Sequence, residues 1–525
     1  MEHLMLVCFY VLICLCSADI RPPVNEAETR SEFWLKDGQK YLRESLNLHK
    51  NQNIAKNVIM FLGDGMGITT VTSTRIYKGQ KKNKGGVEEQ LTFDQFPHVS
   101  LSKTYGVDRI TSDSANTATA YLCGVKANYG TAGVDGRVKY EDCESSVDKD
   151  RHVNSILHWA QEKDKWAGFV TSTRVTHATP SGLYAHTASR NWESSTPNPK
   201  CSDIAHQLVH DEPGKHIRVI MGGGRGTFIP KNQMDVDGTV GYRNDSRNLI
   251  DEWKAAKKAK NLNAKVLFDA KELRELDTSD ADFLLGLFHS DHLPYVADRV
   301  ELLPKEYPTL PEMTEQAIKM LRKNEKGFFL LVEGGKIDLA HHANWARKAL
   351  EEGVEMDAAV EIALKMTDQE DTLIVVTADH SHTFTVGGDY PMRGTSIVGI
   401  GGVSDVDNKT YTTLGYHNGP GYKKDSRDRN LTEEEAVNKD FRQDTVLPLL
   451  YETHGAEDVP VYAIGPMSHL FHGVHQQSYI PYVMGYASCI GPNQDLCSAA
   501  WTIVANTHRL LAIALMTYFS RVWLL

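Results

Sequence analysis

Five short apolar runs punctuate the chain, at residues 58–62, 169–170, 219–221, 328–332 and 373–376, and each is followed at once by glycine or a polar residue able to bind a metal. Unbroken apolar runs of this length are the pattern of parallel strands covered on both faces. Between them lie helical periodicities. Residues 312–322 put Ala317, Ile318 and Leu321 on one face, and 345–366 interleave acidic and apolar positions. The alternation predicts an α/β protein with a doubly wound, mainly parallel sheet and helices on both faces. Ahead of the first strand, residues 31–48 carry Phe33, Trp34, Leu35, Leu42 and Leu46 in an amphipathic pattern suited to packing on a second subunit. Residues 387–444 break the alternation with many glycines and a charged stretch, and read as an inserted, crown-like surface subdomain.

The two ends have patterns of their own. The apolar segment 4–15 ends at Cys16-Ser17-Ala18, which reads as a signal peptide over residues 1–18, followed by an N-terminal arm over 19–50. At the far end, small residues from Ser498, a mixed spacer and the apolar tail 510–525 have the layout of a removable GPI-attachment signal over 498–525. That tail is short for the ~20 residues of a membrane span and carries Arg521. One main domain is then expected over 51–497, in a secreted-pathway protein anchored on the extracellular face of the plasma membrane.

With 57 Lys+Arg against 68 Asp+Glu the net charge is -11, which excludes the basic footprint of a nucleic-acid-binding module. Removing the leader takes three of the eight cysteines, leaving Cys123, Cys143, Cys201, Cys489 and Cys497, an odd number that requires a free thiol. In an oxidising compartment Cys489 with Cys497, and Cys143 with Cys201, can close loops, although the sequence alone leaves the pairing open. Asn244, Asn408 and Asn430 each begin a glycosylation triplet.

In open α/β sheets ligands bind beyond the carboxyl ends of the strands. There the chain places Gly63-Asp64-Gly65, then Glu333 with Asp338, His341 and His342, then Asp379-His380-Ser381-His382. Asp338 and His342, four residues apart, share one helical face and can hold one ion. Singly, each cluster is also explained by helix capping or by an ordinary buried histidine. Ser114, followed by small residues, stands at a helix start where backbone donors favour an anion, as they equally favour a plain N-cap serine. No Walker A sequence and no nucleophile elbow competes for the role.

Gly63-Asp64-Gly65-Met66-Gly67, Asp113-Ser114-Ala115, Val332-Glu333-Gly334-Gly335, Thr377-Ala378-Asp379-His380-Ser381-His382 and Glu452-Thr453-His454 stand in an order that resembles the animal alkaline phosphatases of the GPI-anchored, membrane-bound type. The resemblance runs from about Trp34 to Cys497. It implies metal-dependent hydrolysis of phosphate monoesters through a phosphoserine on Ser114, by a homodimer holding two zinc ions and one magnesium ion per subunit. Asp64, Asp379 and His380, with Ser114, would surround one zinc, and Asp338, His342 and His454 the other. Asp64, Thr179 and Glu333 would hold magnesium, with His177 and Asp113 behind the ligands. Arg190 would clamp phosphate, since a guanidinium fork can bind two phosphoryl oxygens, and His382 would lie near the substrate. Two zincs about 4 Å apart suit in-line phosphoryl displacement.

Two departures accompany the resemblance. Asn116 replaces a small residue two positions after Ser114. His289 and Tyr307 stand where many vertebrate relatives carry calcium-binding acids, so the calcium site is expected to be absent. The rival readings are a diesterase or pyrophosphatase of the wider two-metal superfamily, and a surface receptor that keeps the fold without turnover.

Overall fold

The computed structural model describes residues 25–299, 306–388, 391–424, 430–494 and 496–497. The expected leader (1–18) and attachment signal (498–525) lie outside the described residues. Eight strands, β1 (Asn57–Gly63), β2 (His98–Lys103), β3 (Trp166–Arg174), β4 (Val219–Gly223), β5 (Ala264–Leu267), β6 (Phe283–Leu287), β7 (Phe328–Gly334) and β8 (Thr372–Ala378), join Val459–Ile464 and Val474–Gln476 in one ten-stranded sheet. Its order is Val474–Gln476, β2, Val459–Ile464, β8, β1, β7, β3, β4, β6, β5. From β8 to β5 every neighbouring pair is parallel, while Val459–Ile464 runs antiparallel to both β8 and β2.

The continuous apolar runs reflect burial on both faces. On β1, Val58, Met60 and Leu62 enter one core layer with the helices Ile156–Glu162 and Ile480–Ser488, and Ile59 and Phe61 enter the other with Leu310–Leu321 and Ala346–Met366. Leu310–Leu321 begins in a capping box, Thr309 with Glu312, and has Pro311 in its first turn, which together fix where it leaves the loop.

Register places the site. Leu62 pairs with Glu333 on one side and Thr377 on the other, and Thr171 of β3 pairs with Glu333. The residues just past β1, β7 and β8 therefore emerge at one level at the carboxyl edge of three adjacent strands.

Over 384–448 the structure holds a three-stranded sheet, Phe384–Val386, Leu414–Gly419 and Thr445–Pro448, and the hairpin Ile400–Val403 with Thr410–Thr412. The helix Ser31–Leu46 buries none of its residues, and Trp34, Leu42 and Leu46 are 54%, 59% and 74% exposed. It is tethered through Trp34 Nε1, which donates to Glu28 O, and the Glu28–Arg393 ion pair. Disulfides link Cys143 to Cys201 and Cys489 to Cys497, and Cys123 is a buried free thiol. Asn244, Asn408 and Asn430 are all exposed. His289 and Tyr307 face each other with ring centroids 5.6 Å apart, and the neighbouring carboxylate of Asp237 accepts from Ser290 N and Arg225 Nη2. Among the described residues no helix is long and apolar enough to cross a membrane.

Candidate functional site

The turn after β1 carries Asp64 into the centre of the edge. Gly65, at φ +66°, lies so close to His382 that a Cβ would stand 2.3 Å from its Nε2, so only glycine fits there. The Gly65 N–H and the His380 N–H both donate to Asp379 Oδ1 at 2.9 Å, which ties the turn after β1 to the turn after β8. The helix Ser114–Cys123 brings the hydroxyl from the other side, and all ten of its residues are buried. Its N-cap is Asp113, not Ser114. Asp113 accepts from the backbone of Ala115 and Asn116, and Asn116 Oδ1 accepts the Asp113 N–H in return, leaving Ser114 as the first helical residue with its hydroxyl free to face the acids.

Two sets of ligand-type atoms converge. In one, His342 Nε2 and His454 Nε2 are 3.1 Å apart and each is 3.3 Å from Asp338 Oδ1. Both rings present Nδ1 to a carbonyl, His342 to Glu452 O at 2.6 Å and His454 to Ser112 O at 2.8 Å. A carbonyl only accepts, so Nδ1 carries the hydrogen and each Nε2 turns a lone pair toward Asp338. In the other set, His380 Nε2 is 3.1 Å from Asp379 Oδ2 and 3.5 Å from Asp64 Oδ1, and Ser114 Oγ is 3.3 Å from both His380 Nε2 and Asp64 Oδ1. Here too Nδ1 faces a carbonyl, Ser381 O at 3.2 Å.

Lone pairs so crowded repel one another unless a cation lies between them. Zinc bonds of about 2.0–2.1 Å in a tetrahedron require ligand atoms about 3.3 Å apart, which both sets satisfy. A third group, Asp64, His177 and Glu333, lies behind them. Asp64 Oδ2 and Glu333 Oε1 are buried without a hydrogen-bond partner, and two such oxygens suit an oxygen-seeking ion such as magnesium. Thr171 Oγ1 and Thr173 Oγ1 bond the other Glu333 oxygen at 2.5 and 3.2 Å, and the buried Thr179 hydroxyl faces Tyr121 OH at 3.5 Å. His177 Nε2 lies 3.2 Å from Arg190 Nη2 and must accept, so its Nδ1 bears a hydrogen and is no ligand.

The electrostatics agree. Burial and the neighbouring carboxylates Asp338, Asp379 and Glu333 push Asp64 well above the ordinary carboxylate range; burial raises Asp379 also, and lifts Glu333 to about 7. Asp338 goes the other way: burial opposes it, but His342, His382 and His454 hold it well below that range. Burial keeps His380 and His342 below the usual histidine value, hence neutral and able to ligate. Arg190 donates to Asp113 Oδ2 at 3.2 Å, and its N–H to Gly130 O at 2.8 Å; Gly130 N in turn donates to Asp113 Oδ1 at 2.8 Å. The side chains of Arg190 and His342 stay about a quarter exposed while Asp64, Asp379 and His380 are sealed, so the site opens on the Arg190–His342 side.

The structure thus brings together Asp64, Asp113, Ser114, His177, Thr179, Arg190, Glu333, Asp338, His342, Asp379, His380, His382 and His454. Sequence reasoning quoted Glu452 in a motif but gave it no role, whereas its carboxylate binds His382 Nδ1 at 2.5 Å; it passed over Thr171 and Thr173, and over Gln477, which donates to Asp379 O at 2.7 Å. Thr171 and Thr173 were within reach, since alternate residues at the end of β3 share a face. Gln477 has no local signal.

The chain matches the alkaline phosphatase family model over residues 55–490. It is 48% identical over 520 residues to the tissue-nonspecific alkaline phosphatase of Gallus gallus, covering 96% of this chain and 98% of the relative. It is 42% identical over 512 residues to the membrane-bound alkaline phosphatase of Bombyx mori, covering 94% and 92%. The crystal structure of Thermus thermophilus alkaline phosphatase, 22% identical, superposes with a TM-score of 0.59 over 84% of this chain and 92% of that one, and supports the fold. Family model, close relatives and fold agree: the chain belongs to the alkaline phosphatase family.

Proposed function

We propose that this chain hydrolyses phosphate monoesters to alcohol and inorganic phosphate through a phosphoserine on Ser114. The observation that carries the reading is the position of Ser114 Oγ, 3.3 Å from both Asp64 and His380, on the first residue of a buried helix. Asp64, Asp379 and His380 would hold one zinc beside Ser114, Asp338, His342 and His454 a second, and Asp64, Thr179 and Glu333 a magnesium. When bound, these ions would neutralise the crowded carboxylates, lower the pKa of the attacking hydroxyl and stabilise the leaving oxygen.

The chain's own residues do the rest. Arg190, held by Asp113, binds two phosphoryl oxygens and turns phosphorus toward Ser114. The Ser114 oxygen forms the new P–O bond as the ester P–O bond breaks, and the alcohol leaves with a proton. Water then attacks phosphorus from the vacated side, the Ser114–phosphorus bond breaks, and Ser114 regains its hydrogen. The helix N-terminus and Arg190 hold the anion through both displacements, and two inversions give net retention. Exposed sequons and two disulfides support a secreted-pathway protein, and the N-terminal helix with its uncovered apolar side chains supports a homodimer. The name of the Bombyx mori relative supports a membrane site, with the GPI anchor as the attachment.

The test is hydrolysis of an aryl phosphate monoester, and of the matching diester, by the purified chain before and after chelation and after return of zinc and magnesium. Monoester turnover that is lost to chelator and restored by both metals is expected. Ser114→Ala should lower kcat by at least 10³-fold, the order seen when a covalent nucleophile is removed. Full turnover by that variant would rule out the phosphoserine.

A further inference from the structure

Glu452 is 1% exposed, and both of its carboxylate oxygens are engaged. Oε1 accepts from Thr383 N at 2.7 Å and Thr383 Oγ1 at 2.6 Å; Oε2 faces His382 Nδ1 at 2.5 Å. Its main chain serves a different histidine: Glu452 N donates to His342 O at 3.0 Å, and His342 Nδ1 donates to Glu452 O at 2.6 Å. The imidazole of His382 is strung between two carboxylates, since its Nε2 lies 2.9 Å from Asp338 Oδ1. The strand pair His454–Gly455 with Ser381–His382 puts His454 opposite His382, so one short segment, 452–454, reaches every side chain around Asp338.

We propose that Glu452 is a positioning residue. Its carboxylate fixes the ring of His382 against Asp338, its carbonyl fixes the tautomer of His342, and together these hold the set Asp338, His342 and His454 in the geometry that takes zinc. The inference rests on the two-zinc reading of the proposed function. Although Glu452 stands near His342 and His382, it is not itself a ligand, because its oxygens are already taken by three donors. That donor count also says why the residue is an acid. Thr383 N–H, Thr383 Oγ–H and the His382 Nδ1–H all donate, and a carboxylate accepts all three, whereas a glutamine amide must turn its NH₂ toward one of them. His382 is outside the zinc set but bonds the Asp338 carboxylate that is in it, and ligating carboxylates, like ligating histidines, are held by outer hydrogen-bond partners whose loss costs about 10–100-fold in metal affinity.

The experiment uses the full chain. Zinc per chain is measured by atomic emission, and the affinity of the weaker zinc site by competition with a chromophoric chelator, for wild type, Glu452→Gln, Thr383→Val and Ser114→Ala. Glu452→Gln is expected to weaken one zinc site about 10–100-fold while the other keeps its ion, and Thr383→Val to weaken the same site by a smaller factor. Two zincs bound by Glu452→Gln within about threefold of wild-type affinity would overturn the proposal. Should Glu452→Gln fail to fold, judged by its circular dichroism, Thr383→Val decides: unchanged zinc affinity there is the overturning result. Ser114→Ala separates the two claims, because it should hold zinc and lose turnover. A wild type that binds no zinc would sink the two-zinc reading itself.

Discussion

At the scale of the residue, Asn116 stands in the first turn of the helix that presents Ser114. It is 2% exposed, its Oδ1 accepts the Asp113 N–H, and Gly106 packs so closely that a Cβ there would meet Asn116 Nδ2 at 2.3 Å. Asn116 therefore closes the capping box of the helix that presents Ser114, and Asp113, which it secures, also holds Arg190. Replacing the partner of an N-cap costs about 1 kcal/mol. Asn116→Ala should thus lower the melting temperature by about 1–2 °C in a chain of this size, and should raise KM for an aryl phosphate more than it lowers kcat, because the disturbance reaches substrate through Arg190. Equal changes in both constants would count against that route. Residue types at strand ends made Asp64, Glu333, Asp338, His342, Asp379 and His380 legible in the sequence. Ser114 stood out from its place at a helix start, where a plain cap was the rival reading, and Thr179, Arg190 and His454 came only through resemblance. The adjacent Asp113 and Ser114 are both good caps, and the extended backbone of Asp113 is what settles which one caps. The role of Glu452 stayed hidden because its partner His382 is 70 residues away in the chain.

At the scale of the element, apolar runs that end in glycine or a ligand-type residue mark β1, β3, β4, β7 and β8 and leave the other five strands of the sheet unmarked. The missed strands have physical reasons. β2 turns Ser100 and Ser102 inward and leaves Val99 and Leu101 exposed, the reverse of the usual pattern, and Val459–Ile464 carries Pro460. β6 is split by Gly286 into shorter apolar pieces. The helix Ser31–Leu46 was visible in full, and its surroundings were not: none of its side chains is buried in the single chain. Such an element adds little to the fold it hangs from, because it removes little apolar surface from water. Deleting residues 25–46 should leave the circular dichroism of the body unchanged and shift sedimentation from dimer toward monomer. A dimer of undiminished affinity would place the contact elsewhere.

At the scale of the whole molecule, stability should rise into alkaline pH, and three lysines set the sign. Burial holds Lys126, Lys165 and Lys257 down at about 8. Each is bonded to backbone carbonyls: Lys126 to those of Lys103 and Tyr105, Lys165 to those of Lys56 and Lys326, and Lys257 to that of Lys215. A cation whose folded value is depressed costs stability in full below that value. Between about pH 8 and the unfolded value near 10.4 the folded chain has released protons that the unfolded chain still holds, so stability climbs with pH. Past about pH 10 the direction reverses, since burial raises the phenols of Tyr121, Tyr184 and Tyr416 and the folded chain then keeps protons that the unfolded chain gives up. Thermal melts at constant ionic strength from pH 7.5 to 9.5 test this by comparing wild type with the combined Lys126→Met, Lys165→Met and Lys257→Met variant. The variant's absolute melting temperature also reflects the carbonyls it leaves unpaired, so the slope is the quantity to compare. A flatter rise in the variant is expected, and a slope equal to that of wild type would assign the alkaline gain to other groups.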